Sequence, residues 1–145
     1  MPILLLALAA CSPSGPSETN APGDPDDRHP YAGIAPGEAV RFVGTEPFWG
    51  GEVKGSVLKW TTPENPEGET VTVARFAGRN GISFTGKLAG EAFGMAVTPG
   101  QCNDGMSDRT YPFTVTVRLG PQGSGRILPG CAWTDSRPYT GPESP

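Results

Sequence analysis

Apolar and polar side chains strictly alternate from Phe113 to Leu119, with Phe113, Val115, Val117 and Leu119 set against Thr114, Thr116 and Arg118. A repeat of two puts one set on a core and the other in water, as a β-strand does. The same rhythm recurs in shorter runs. Ile82, Phe84 and Leu88 alternate with Ser83, Thr85 and Lys87, while Phe93, Met95 and Val97 share a face. Val71 and Val73 alternate with Thr70 and Thr72, and Leu58 and Trp60 flank Lys59. No useful length of chain has the i, i+3, i+4 spacing of a helix. With Val40 to Val43, Trp49 to Val53 and Ile127 to Trp133 added, the pattern predicts about eight short strands.

Turn chemistry falls between these runs. Asn80-Gly81 is a strong type I′ hairpin signal and Ala89-Gly90 a weaker one, while Pro63 to Glu69 and Gly120 to Gly125 read as longer loops. The expected fold is therefore all-β, either a small antiparallel barrel or a compact sandwich. Strand rhythm alone does not choose between the two.

The ends of the chain differ in character from this middle. Residues 3–10 form an apolar run that stops at Cys11 and is far shorter than the roughly 20 residues a membrane-spanning helix needs. Leu8, Ala9, Ala10 and Cys11 resemble the lipobox of bacterial lipoproteins, which implies a signal peptide over residues 1–10 and a lipid on Cys11. A basic segment normally precedes such a run, and only Met1 and Pro2 do here, so one is expected upstream. Ser12 after the cysteine resembles the signal for outer-membrane sorting. From Ser12 to Glu38 there are six Pro and four Gly and no apolar periodicity. Such a composition cannot bury enough surface to offset chain entropy, so residues 11–38 are expected to be a lipidated, disordered tether. The β domain is then expected over 39–133 and a flexible tail over 134–145.

Charge follows the same division. Residues 11–38 carry a net −4, residues 39–133 a net +1 and residues 134–145 a net −1. The acidity belongs to the tether and says nothing of what the folded part binds. With Cys11 assigned to lipid, Cys102 and Cys131 are left as an even pair in an oxidising compartment, where pairing is the default. Closing that loop would stabilise the domain by about 3 to 4 kcal/mol.

Most catalytic chemistry is excluded by residue type. His29, in the tether, is the single histidine of the chain, so the domain has no imidazole for a Ser-His or Cys-His system or for a zinc site. Glu46, Glu52, Glu91, Asp104 and Asp108 are of the type that runs glycoside hydrolysis, but carboxylates scattered over a β surface read as solvated. No Gly-rich phosphate loop and no basic patch with interleaved aromatics is present, so neither nucleotide nor nucleic acid is an expected partner. Asn103, Asp104, Ser107 and Asp108 are hard oxygen donors, yet their spacing departs from a calcium loop. No metal and no cofactor is expected. Asp104-Gly105 reads instead as a tight turn, with Asp108 accepting from nearby backbone N–H groups and Pro112 opening the next strand.

In GTEPFWGG, residues 44–51, Phe48 and Trp49 are adjacent and point to opposite faces if extended. Either one faces out as part of a binding surface, or both plug the core with Glu46 answering an arginine such as Arg109. GTEPFW at 44–49, CNDGMSDRTYPF at 102–113 and PGCA at 129–132 together resemble a family of small bacterial envelope lipoproteins with no established activity. The likeness runs over residues 41–133, and its recurring cysteines support the Cys102–Cys131 pairing. A looser likeness is to META-type heat-shock lipoproteins and to lipoprotein inhibitors of C-type lysozyme.

The resulting expectation is a non-enzymatic envelope lipoprotein facing the periplasm, tied to the membrane, and favoured at the outer one, through its N-terminal lipid. It would bind an envelope protein, a peptidoglycan fragment or a small amphiphile through the barrel end. The expected surface comprises Glu46, Phe48, Trp49, Asn103, Asp104, Asp108, Arg109 and Tyr111.

Overall fold

A computed structural model of the chain describes residues 29–121 and 123–142. Eight strands follow one another as an antiparallel meander: β1 Val40–Thr45, β2 Phe48–Lys54, β3 Val57–Thr62, β4 Asn65–Ala77, β5 Ile82–Leu88, β6 Glu91–Cys102, β7 Tyr111–Leu119 and β8 Arg126–Thr134. β8 returns to β1, pairing Val40 with Thr134 and Val43 with Cys131, and the sheet closes into a barrel. Closure decides against the sandwich. The expected signal peptide over 1–10, the expected lipidation site Cys11 and the expected tether up to residue 28 lie outside the described residues.

Each run of alternating side chains became a strand with its apolar members inward. An eight-stranded barrel is just wide enough to be filled by side chains, and here aromatics fill it. The Trp49 and Trp60 rings stack 5.0 Å apart, Phe42 lies 5.9 Å from Trp49, and Phe93 meets Trp60 edge-on at 5.8 Å. Trp49 fits because the wall beside it is bare. A Cβ on Gly44 of β1 would lie 2.0 Å from its indole, and one on Gly130 of β8 would lie 2.8 Å from it.

Three expectations are corrected by the backbone. The stretch from Pro63 to Glu69 is not a long loop, because β4 starts at Asn65 and pairs with Thr62 across a tight connection. Its backbone donors are satisfied locally: Asn65 N–H donates to Thr62 Oγ1 and Gly68 N–H to Asn65 Oδ1. Asn80-Gly81 does not form a two-residue turn either. The β4–β5 connection spans Gly78 to Gly81, and Gly81 answers to packing, since a Cβ there would lie 2.2 Å from the Val97 carbonyl oxygen of β6. The weaker signal holds the tight hairpin: Ala89 (φ 51°) and Gly90 (φ 81°) are both left-handed between the paired Leu88 and Glu91, as a type I′ turn requires.

The third correction concerns the boundaries. Tyr31 N–H donates to the Gly78 carbonyl at 2.7 Å, and Ile34, only 1% exposed, belongs to the core. Arg75 donates to the Ile34 carbonyl, and Ser136 donates to the Glu38 carboxylate. At the other end Thr110 and Thr140 exchange backbone hydrogen bonds. Packed structure therefore extends beyond 39–133 on both sides, into the expected tether and the expected tail. Single apolar anchors in polar segments suffice for this, and they vanish when composition is averaged over a window.

A non-glycine residue in the left-handed region costs about 1 kcal/mol. Ala89→Gly and Ala89→Asn are each expected to raise the stability by about 0.5 to 1 kcal/mol, read as a higher chemical-denaturation midpoint. A lower midpoint for both would contradict the turn.

Candidate functional site

In a meander the connections alternate between the two ends of the barrel. The β1–β2 turn and the long β6–β7 connection, residues 103–110, therefore leave at opposite ends. They nevertheless meet, because Thr45 Oγ1 donates to the Asp104 carbonyl oxygen at 3.0 Å. The long connection folds back along the outer wall. The residue just before it is fastened there by the Cys102–Cys131 disulfide, with Cα atoms 5.6 Å apart, which ties the end of β6 to β8.

Asp104 organises the loop. Its Oδ1 accepts from the backbone N–H of Met106 (2.9 Å) and Ser107 (2.8 Å), and its Oδ2 accepts from Ser107 Oγ (2.8 Å) and Tyr111 Oη (3.1 Å). Asn103 complements it: Oδ1 accepts from Gly105 N–H at 2.7 Å and Nδ2 donates to the Arg109 carbonyl. Short Asx side chains stand in for backbone here, which is how they hold turns. Beyond the loop, Tyr111, Trp133 and Tyr139 form a triangle of rings with centroids 5.4 to 5.5 Å apart. The Arg109 guanidinium lies 4.2 Å over Tyr139, a cation–π contact.

The electrostatics follow the hydrogen bonds. Burial works to raise the Asp104 pKa, but the Ser107 and Met106 amides, with the hydroxyls of Ser107 and Tyr111, outweigh it and hold the carboxyl below the ordinary range. Burial is also the main cause that pushes the Tyr111 phenol above its ordinary value, with Asp104 adding to it and Arg109 opposing.

The structure divides the expected surface residues into three groups, of which one, Asp104 and Arg109, is half-buried. Glu46, Asn103 and Asp108 are exposed, and Phe48 is 50% exposed. Trp49, at 5% exposure, points into the barrel, and Tyr111, at 1%, is buried, so neither belongs to a surface. Parity forces this split of Phe48 and Trp49, since Trp49 shares its face of β2 with the buried Val53. The carboxylate that takes backbone N–H groups is Asp104, and Asp108 stays exposed. Two residues went unnoticed in the sequence: Met106, 58% exposed in the loop, and Thr45, which links the two segments. Ser107, weighed in the sequence only as an oxygen donor to calcium, instead completes the Asp104 turn through an Asp-x-x-Ser spacing.

The most organised carboxylate of the loop, Asp104, is thus engaged by four donors. No group of three His, Cys, Asp or Glu among the described residues is placed to hold a metal. No protein-family model, curated protein or solved structure compared with the chain matches it.

Two outcomes are expected. Replacing Cys102 and Cys131 together by Ser should lower the stability by about 3 to 4 kcal/mol, the entropy of a 29-residue loop, and lower Tm by roughly 10 to 20 °C. A carboxyl whose folded pKa is depressed adds stability above its unfolded pKa, near 4, and that stability is lost as pH falls through the folded value. Asp104→Asn should therefore lower Tm at neutral pH and flatten the fall of Tm below about pH 4. An acid limb as steep as that of the wild type would show that Asp104 does not carry it.

Proposed function

We propose that this chain is a lipid-anchored protein of the bacterial envelope, facing the periplasm, whose barrel is a non-catalytic binding module. The anchor is Cys11 and the partner is an envelope protein that docks on the outer wall. The observation that carries this reading is the Thr45–Asp104 hydrogen bond. It joins two segments of unusual sequence, and each presents an exposed apolar side chain, Phe48 on one and Met106 on the other. Exposed apolar residues on a backbone held by a disulfide and four carboxylate hydrogen bonds lose little entropy when a partner covers them. The engaged state of Asp104 supports a binding role over a hydrolytic one.

A second reading has an observation of its own. Tyr111, Arg109 and Asp104 are all spent on internal contacts, as in a structural envelope-integrity module with no discrete partner. Cross-linking in intact envelopes followed by affinity capture separates the two. Phe48→Ala combined with Met106→Ala should reduce a discrete cross-linked species at least tenfold without moving Tm by more than about 2 °C. Cys11→Ser should release the chain from the membrane fraction. An unchanged cross-linking pattern in the double variant favours the structural module.

A further inference from the structure

The outer wall over β5, β6 and β7 beyond Cys102 and Tyr111 lies apart from the 103–110 connection. Strand register puts Ser83, Ala96 and Thr116 in one cross-strand row and Thr85, Gly94 and Arg118 in the next. These residues line a hollow of about 430 Å³, within the roughly 300 to 1,000 Å³ typical of small-molecule sites. Gly94 is unusual among them. It is not among the glycines with positive φ, and a Cβ built on it would meet nothing within 4 Å. Neither conformation nor packing calls for a glycine at this position. Inside a strand glycine is destabilising by roughly 0.5 to 1 kcal/mol relative to alanine, and it often marks a place where a ligand or another backbone approaches closely. No protein atom makes that approach here.

Charge identifies the visitor. The outward-facing positions of β5 to β8 include Lys87 and Arg118 and no Asp or Glu. Lys87 stands opposite Ala92, on the border of the hollow. Among the described residues neither cation makes an ion pair. A guanidinium beside an open floor of Ala92, Gly94, Ala96 and the methyl groups of Thr85 and Thr116 suits a ligand that ends in a planar carboxylate and carries an apolar body.

We propose that this hollow binds a small organic carboxylate, paired with Arg118 and Lys87, whose body lies on the bare backbone at Gly94. The site is separate from the Phe48–Met106 surface and stands or falls independently of it.

The test is an NMR titration of the full chain with benzoate, and with inorganic phosphate as a bare anion. Benzoate should shift the amides of Gly94, Ala96 and Arg118 saturably, and Arg118→Gln should weaken binding at least fivefold. Gly94→Val should raise Tm by a few degrees yet weaken benzoate at least tenfold, a combination that an empty surface depression does not produce. Wild-type affinity in Gly94→Val, or no saturable shift at these amides, would overturn the proposal. Phosphate binding as tightly as benzoate would overturn the organic carboxylate in favour of a bare anion contact. Should Gly94→Val fail to fold, Gly94→Ala and Arg118→Gln carry the same comparison.

Discussion

Closing the barrel requires the last strand to find the first, and this seam is the most demanding contact in the molecule. β1 and β8 are joined by four register pairs, Val40 to Thr134 through Val43 to Cys131, where β6 and β5 share seven. They also lie farthest apart in sequence, so their meeting carries the largest loop-closure cost. Failure there would leave two open strand edges and a half-exposed aromatic interior.

The unusual features of the chain gather on that seam. From inside, the Trp49 indole lies across Gly44 of β1 and Gly130 of β8, one residue on each closing strand. From outside, the folded-back connection touches Thr45 of β1 through Asp104 and is bonded to β8 through Cys131. At the rim, Ser136 donates to Glu38 and Arg41 pairs with Asp135. A short ladder is thus clasped on three sides. The disulfide and the Asp104 turn act chiefly by holding the closing strands together, which also keeps their exposed neighbours rigid.

Much of the fold was legible in the sequence because period-two alternation is local and direct. Phe113 to Leu119 could hardly be anything but a half-buried strand. Closure was not legible, since a barrel and a sandwich impose the same alternation on each strand and differ only in which strands pair. Ile34 and Tyr139 were missed because each is a single anchor in a polar stretch. Asn80-Gly81 misled because its glycine answers to the Val97 carbonyl across the sheet, a contact that local turn statistics do not contain. At the site, the loop was recognisable as a pinned turn from Cys102, Asp104 and Gly105. Which carboxylate would organise it depended on the position of Tyr111, and the link to Thr45 joins segments 59 residues apart.

The points at which the chain enters and leaves the barrel lie together. Tyr31 is bonded at the β4–β5 connection, and Glu38 meets Ser136 just beyond the end of β8. Both belong to the rim opposite the one that carries the β1–β2 and β3–β4 connections. The segment leading into β1 therefore meets the barrel at one rim only, and the connections at the opposite rim stand clear of it.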